Sequence, residues 1–285
     1  MGTWNYNSGP VPLRNCLDAG ALFIDTSESY GTESVVAEAV AGRRDQVFLA
    51  TKISPGHFRR NDVIRAADES LRRLRSGHLD LYQLHEPNET IPVEETLGAV
   101  EELIDAGKVR FAGVSNFSVT QLKRAQRAMR RHPVVANQVR FSLIDRTISP
   151  DLLPYCQTNG ITVIAYSPLA RGLHHILDCD PQGVLMELAK AINRTPLQIA
   201  LNWCLYQDRV AVIPKGNSDD HIVENCGASD WRLSPEQFRR LDESVVFRFR
   251  GRVDSFIRKC LPSGLKQGLK QFGRMMPACL RRRLH

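Results

Sequence analysis

Residues 22–31 read Leu-Phe-Ile-Asp-Thr-Ser-Glu-Ser-Tyr-Gly. A short apolar run closes on an acid, and a polar loop carrying a tyrosine follows. The run reads as a strand over 22–26, with Asp25 near its C-terminal end and Tyr30 in the loop beyond it. The same shape recurs downstream. VFLATK at 47–52 closes on Lys52, and LDLYQLH at 79–85 closes on His85. VRFAGVS at 109–115, VVANQV at 134–139, TVIAY at 162–166 and VAVIP at 210–214 bring the strands to seven. MGTW at 1–4 supplies a much shortened eighth.

Amphipathic stretches fill the gaps. Helices are expected over 11–19, 32–41, 61–75, 92–106, 119–130, 149–158 and 195–206. The third opens on Asn61 and Asp62, residues suited to capping. The fourth has Pro92 in its first turn and stops before Gly107. Strands that alternate with helices form a parallel sheet. Eight units in about 250 residues suit a closed (β/α)8 TIM barrel, here with its first strand truncated. Such a barrel does its chemistry at the C-terminal ends of its strands. Polar residues gather there: Asp25, Lys52, His85, Ser115, Asn116, Asn137, Gln138 and Tyr166 all close a strand or follow one.

Composition narrows the class. The chain has 285 residues, of which 42% are hydrophobic and 24% charged, a globular balance. Seven cysteines, at 16, 156, 179, 204, 226, 260 and 279, are odd in number, widely spaced and without a CxxC pair. That speaks against a secreted disulfide framework and against a zinc ribbon. No apolar run approaches the length of a membrane span, and no signal peptide opens the chain. A soluble, cytoplasmic protein is expected.

The net charge of +7 is unevenly placed. Residues 247–285 carry eleven basic side chains and one acid, so the stretch before them is mildly acidic. Two parts are expected: a barrel over 1–246 and a basic, partly amphipathic tail over 247–285. A basic nucleic-acid cleft is not suggested. The plain reading of the tail is a solvated extension over the barrel. The sharper one is peripheral contact with an anionic membrane surface.

A lysine ending a buried strand is costly unless paired, and Asp25 is its natural partner. Singly, a strand-end lysine, histidine or loop tyrosine is more often structural than catalytic. The ordered set of Asp25, Tyr30, Lys52 and His85 at successive strand ends says more.

With those residues in hand, the chain resembles the aldo-keto reductases. The stretches that carry the resemblance are GTW (2–4), FIDTSESYG (23–31), FLATK (48–52) and LYQLHEP (81–87). They continue with GKVRFAGVSNFS (107–118), NQV (137–139), AYSPLARG (165–172) and IPKGNSDDHIVEN (213–225). The resemblance implies reduction of an aldehyde or ketone by hydride transfer, with Asp25, Tyr30, Lys52 and His85 as the catalytic tetrad. Tyr30 would be the proton donor, its pKa lowered by the Lys52 ammonium. Asp25 would hold Lys52, and His85 would orient the carbonyl. No metal is implied.

The resemblance also implies NADP(H), bound without a Rossmann motif. Ser115, Asn116 and Gln138 would hold the carboxamide, and Tyr166 would stack on the ring. Ser167 and Leu169 would line the pyrophosphate path. Lys215, Asn217, His221, Glu224 and Asn225 would meet the adenosine end. His221 stands where many members carry arginine, so the preference over NAD(H) is expected to be reduced. Trp4 and Glu86 would line the substrate pocket. Glu86, where tryptophan is common, should disfavour anionic substrates. The family's residues ahead of GTW include a hairpin under the barrel, and a stub first strand should leave edges on its neighbours. A second reading is a non-catalytic NADPH-binding regulator docked through its basic tail. The oligomeric state is left open.

Overall fold

The computed structural model describes residues 1–247. Seven parallel strands lie side by side in chain order, each joined to the next through helix. They are β1 (Phe23–Asp25), β2 (Phe48–Ile53), β3 (Leu79–Leu84), β4 (Val109–Ser115), β5 (Val134–Arg140), β6 (Thr162–Tyr166) and β7 (Val210–Val212). The shortened eighth strand contracts to one residue. Gly2 pairs in parallel with Asp25, and its N–H donates to Pro214 O at 3.0 Å. The N-terminal ammonium donates to Phe23 O, and Asp25 N donates back to Met1 O. A single residue therefore bridges the outer strands β1 and β7 and closes the (β/α)8 ring. The stub meets both neighbours rather than leaving them open at this level. Gly2 is required there: a Cβ would lie 2.9 Å from Ile213 O.

The helices are α1 (Pro10–Asp18), α2 (Glu33–Val40), α3 (Arg60–Leu74), α4 (Val93–Asp105), α5 (Val119–Ala128) and α6 (Leu152–Thr158). They continue with α7 (Leu173–Leu177), α8 (Val184–Ala191), α9 (Pro196–Tyr206), α10 (Asp219–Cys226) and α11 (Pro235–Ser244). Helix α3 differs from expectation at its start. Its N-cap is Arg59, while Asp62 turns along the helix to Arg65 instead of capping. Pro92 is likewise the N-cap of α4 rather than its first helical residue. The sequence reading did not foresee α7, α8 or α11. Helices α5, α9 and α11 each open on a reciprocal capping box, Ser118/Gln121, Thr195/Gln198 and Ser234/Gln237.

Two apolar layers hold the fold. One lies between the strands and the surrounding helices. The other fills the barrel with Ala50, Leu81, Ala136, Ile164 and Ile213, one inward side chain from each of five positions around the ring. Gly113 on β4 has no room for a Cβ, which would sit 2.9 Å from Gln83 Cγ. These side chains plug the interior, so the polar groups above them open toward the C-terminal mouth. At the other end Phe23, Phe48 and Phe111 form a chain of ring contacts, with Phe111 partly exposed. Among the described residues no helix is long and apolar enough to cross a membrane. The tail expected over 247–285 lies outside the described residues beyond Phe247.

Candidate active site

The site is built around one buried carboxylate. Asp25 closes β1, where the strand delivers its side chain into the barrel above the apolar plug, 2% exposed. Lys52 reaches it from β2, fully buried, with Nζ donating to Asp25 Oδ2 at 2.7 Å and to Thr26 O at 2.8 Å. The expected ion pair therefore forms. Two further groups meet the other oxygen. Gln138 Nε2 donates to Asp25 Oδ1 at 2.8 Å and Gln83 Nε2 donates to it at 3.3 Å. Side chains from three other strands thus converge on one carboxylate. Burial pushes the Lys52 ammonium below its ordinary pKa, and the Asp25 charge opposes that shift.

Tyr30 rides on a short 3-10 helix, Glu28–Tyr30, capped by Ser27 and ended by Gly31 at φ +70°. Glu28 pins this turn to the next loop, accepting from Ser54 N at 2.6 Å and from His57 at 3.0 Å. The Tyr30 hydroxyl lies 3.3 Å from His85 Nε2, and the two rings meet edge to face. The Lys52 ammonium sits 4.8 Å over the Tyr30 ring rather than in line with its hydroxyl.

This corrects one expectation. Burial, then the Asp25 charge, push the Tyr30 phenol well above its ordinary value instead of below it. The physical reason is that Lys52 already gives hydrogen bonds to Asp25 and Thr26 O, so its charge is compensated before it reaches the phenol. Burial, then the Lys52 charge, hold the His85 imidazole below its ordinary value, so it is neutral at pH 7.

A second cluster flanks the first. Ser115 Oγ donates to Gln138 O at 2.9 Å. Asn116, in a left-handed conformation at φ +62°, donates to Ser115 Oγ and to His85 O. Its Oδ1 accepts from the Tyr166 hydroxyl at 3.0 Å. Ser115, Asn116, Gln138 and Tyr166 thus form one hydrogen-bonded rim beside His85. Asn137 takes no part, since its amide turns to Phe117 O at 2.9 Å. Ser167, at φ +51°, opens a loop that continues through Leu169 and Arg171.

The third cluster lies beyond β7. Lys215 is exposed, with Nζ 3.3 Å from Asn5 O, and Asn225 donates to Lys215 O at 3.3 Å. Ser8 Oγ donates to Asn217 O at 2.7 Å. Ser218 caps α10 by accepting from His221 N. His221 is exposed, and Glu224 offers its carbonyl to Gln198. The side-chain oxygens of Asn217 and Asn225 are buried without a partner. Gly216 lies so close to Ile222 that a Cβ would meet it at 2.9 Å. Two unsatisfied acceptors under a side-chain-free turn fit a ligand that brings N–H donors. A lysine and a capped helix start fit one that also brings negative charge. The residues present therefore suit a dinucleotide, although Asp219 and Asp220 in the first turn of α10 oppose a further phosphate.

Trp4 and Glu86 both stand at the mouth. Trp4 is 48% exposed, with the Arg171 guanidinium 5.6 Å over its ring. Glu86 is exposed beside His85. Gln83, Ser27 and Glu28 were missed by the sequence reading. For Gln83 a signal existed, because it lies two residues before His85 on the same face of the strand. Among the described residues no group of three His, Cys, Asp or Glu side chains is placed to hold a metal ion.

Known proteins bear on this geometry. Methylglyoxal reductase YeaE of Escherichia coli (strain K12) is 36% identical over 235 residues, covering 81% of this chain and 82% of that protein. An aldo/keto reductase from Klebsiella pneumoniae, solved with NADP and acetate, superposes with a TM-score of 0.80. It is 35% identical and covers 88% of this chain and 92% of its own. The thermostable aldo-keto reductase Tm1743, solved with the inhibitor epalrestat, gives a TM-score of 0.80 at 36% identity over 85% of this chain and 93% of its own. The sequence profile of the aldo/keto reductase family matches residues 2–246, the whole barrel from the closing glycine to the end of α11. Barrel, mouth and sequence agree, and the chain belongs to the aldo/keto reductase family.

Proposed function

We propose that the protein is a carbonyl reductase that takes NADPH and delivers hydride to an aldehyde or ketone. The observation that carries the reading is the convergence of Tyr30 and His85 at the mouth, directly above the Asp25 hub. Bound NADPH supplies the hydride. The chain's own residues supply the rest. Tyr30 gives its proton to the carbonyl oxygen as charge develops there. His85, neutral, holds that oxygen in place. Asp25 and Lys52 fix the floor beneath. Ser115 and Asn116 offer hydroxyl and amide groups suited to a carboxamide, Gln138 offers its amide oxygen since its N–H groups turn to Asp25 and Gln83, and Tyr166 offers a ring face. Support for NADPH comes from the Klebsiella relative solved with NADP. The relative that reduces methylglyoxal makes small dicarbonyls the first substrates to try.

The test is NADPH oxidation followed by absorbance against a panel of aldehydes and ketones that includes methylglyoxal. No turnover with any carbonyl, in protein that binds NADPH, would refute the reading.

The Tyr30 pKa sets a pH expectation. A raised value means the phenol keeps its proton well past neutrality. Carbonyl reduction, which needs that proton, should stay flat from pH 6.5 to about 9 as far as Tyr30 is concerned. Alcohol oxidation needs the phenolate and should climb with pH across the same range. Parallel profiles in both directions check this, and a basic limb in reduction below pH 9, mirrored by a plateau in alcohol oxidation at the same pH, would contradict it.

Cofactor choice gives another expectation. His221 is exposed at the capped start of α10, where Asp219 and Asp220 repel a 2′-phosphate. His221→Arg adds a permanent, planar cation there. The ratio of kcat/KM for NADPH over NADH should rise about tenfold, the lower end for a charge-assisted hydrogen bond because the site is solvated.

A further inference from the structure

Ser27 is 0% exposed and lies between the two strand ends that carry the chemistry. Its Oγ is 3.2 Å from His85 Nδ1, 3.4 Å from Lys52 O, 3.4 Å from Ser29 N and 3.0 Å from Ser29 Oγ. The Ser29 N–H can only donate, so it takes one lone pair of the Ser27 oxygen. Ser27 has a single proton to give. The His85 ring is then held at both ends by hydroxyls, Ser27 at Nδ1 and Tyr30 at Nε2. A neutral imidazole has one N–H, and its place decides what the mouth presents.

With the proton on Nδ1, Nε2 would aim a lone pair at an incoming carbonyl oxygen and would also draw the Tyr30 proton to itself. With the proton on Nε2, the ring and Tyr30 become two donors converging on one oxygen. The backbone offers no alternative way to choose, because His85 N donates to Ile53 O and His85 O accepts from Asn116. Ser29 Oγ, at 3.0 Å, carries a proton of its own and can fill the second lone pair of Ser27; the Ser27 proton is then left with Nδ1 at 3.2 Å or Lys52 O at 3.4 Å, and Nδ1 is the nearer.

We infer that Ser27 is a positioning residue: it donates its hydroxyl proton to His85 Nδ1 and so fixes the tautomer that points N–H at the substrate oxygen. This rests on the reading of His85 as a substrate-facing group, but the first measurement does not. Lys52, Asp25, Glu28, Glu86 and Tyr30 surround the ring and are common to wild type and variant. Their influence cancels in a comparison of the two.

The sign of the comparison is diagnostic. A hydrogen bond given to Nδ1 stabilises the neutral ring, so its removal makes protonation easier. A bond accepted from Nδ1–H would stabilise the imidazolium, and its removal would do the reverse. The experiment is nitrogen-15 NMR of the histidines in full-length protein without cofactor, titrated from pH 8 to 4, for wild type, Ser27→Ala and Ser27→Thr. The His85 signal is assigned by its loss in His85→Gln.

The expected result is an Nε2–H tautomer in wild type, a higher His85 midpoint in Ser27→Ala, and a return toward wild type in Ser27→Thr. A lower midpoint in Ser27→Ala, an unchanged one, or an Nδ1–H tautomer in wild type would each overturn the inference. Loss of the turn cap alone would lower Tm without setting that sign. In turnover, Ser27→Ala should lower kcat about tenfold with KM for NADPH unchanged, and Ser27→Thr should restore most of it. A titration that behaves as expected beside a kcat that does not fall would place the failure in the role of His85, not in its tautomer.

Discussion

Tyr30→Phe should abolish carbonyl reduction while leaving the protein folded and able to bind NADPH. Only the hydroxyl is removed, and its hydrogen-bond partner among the described residues is His85 Nε2, at 3.3 Å. The ring keeps its edge-to-face contact with His85 and its place under the Lys52 ammonium. A general acid contributes roughly 10²–10⁴ in rate, and among the described residues no other hydroxyl is hydrogen-bonded to His85 Nε2. The loss should fall on kcat, with cofactor affinity unchanged. Absorbance assays beside NADPH titrations by fluorescence check both halves. Retention of more than about a tenth of the wild-type rate would assign the proton to another donor.

Asp25→Asn should cost stability as well as activity. The carboxylate is the sole ion-pair partner of a fully buried lysine among the described residues, and it also receives Gln83 and Gln138. Removing one member of a buried pair costs about 3–5 kcal/mol, because the other charge stays behind unpaired. For a domain of this size that is a drop in Tm of roughly 6–20 °C. The double variant with Lys52→Met removes both charges. It should recover much of the lost stability and none of the activity. Thermal melts of the three proteins close the cycle. Stability of the single variant within about 1 kcal/mol of wild type would mean that Lys52 reaches water or sheds its proton.

The sequence made the strand ends legible because most of the apolar runs carry a polar residue at or next to their last position, and a parallel barrel puts all such ends at one mouth. Asp25, Lys52, His85 and Gln138 were visible for that reason. Gln83 was not. Both faces of β3 are buried, so its apolar pattern does not mark Gln83 as inward, and the one signal is its place two residues before His85. Ser27 and Glu28 act through a 3-10 turn, and no periodicity announces a single turn. The cap of α3 was misplaced because Asn61 and Asp62 are favourable capping types inside a helix that Arg59 begins. The pKa of Tyr30 went the other way because residue order shows that a lysine is near, but not that its protons are committed elsewhere.

The Asp25 hub also bears on how the chain is made. Its partners emerge in sequence: Lys52 is 27 residues away, Gln83 is 58, and Gln138 is 113. At about 5–20 residues per second, roughly 6–23 s separate translation of the acid from that of its last partner. Through that interval the nascent chain holds a carboxylate whose ring of donors does not yet exist. Half of a barrel cannot satisfy it, so the first strands have no finished structure to settle into. The functional centre doubles as a lock that turns only once the fifth strand has arrived.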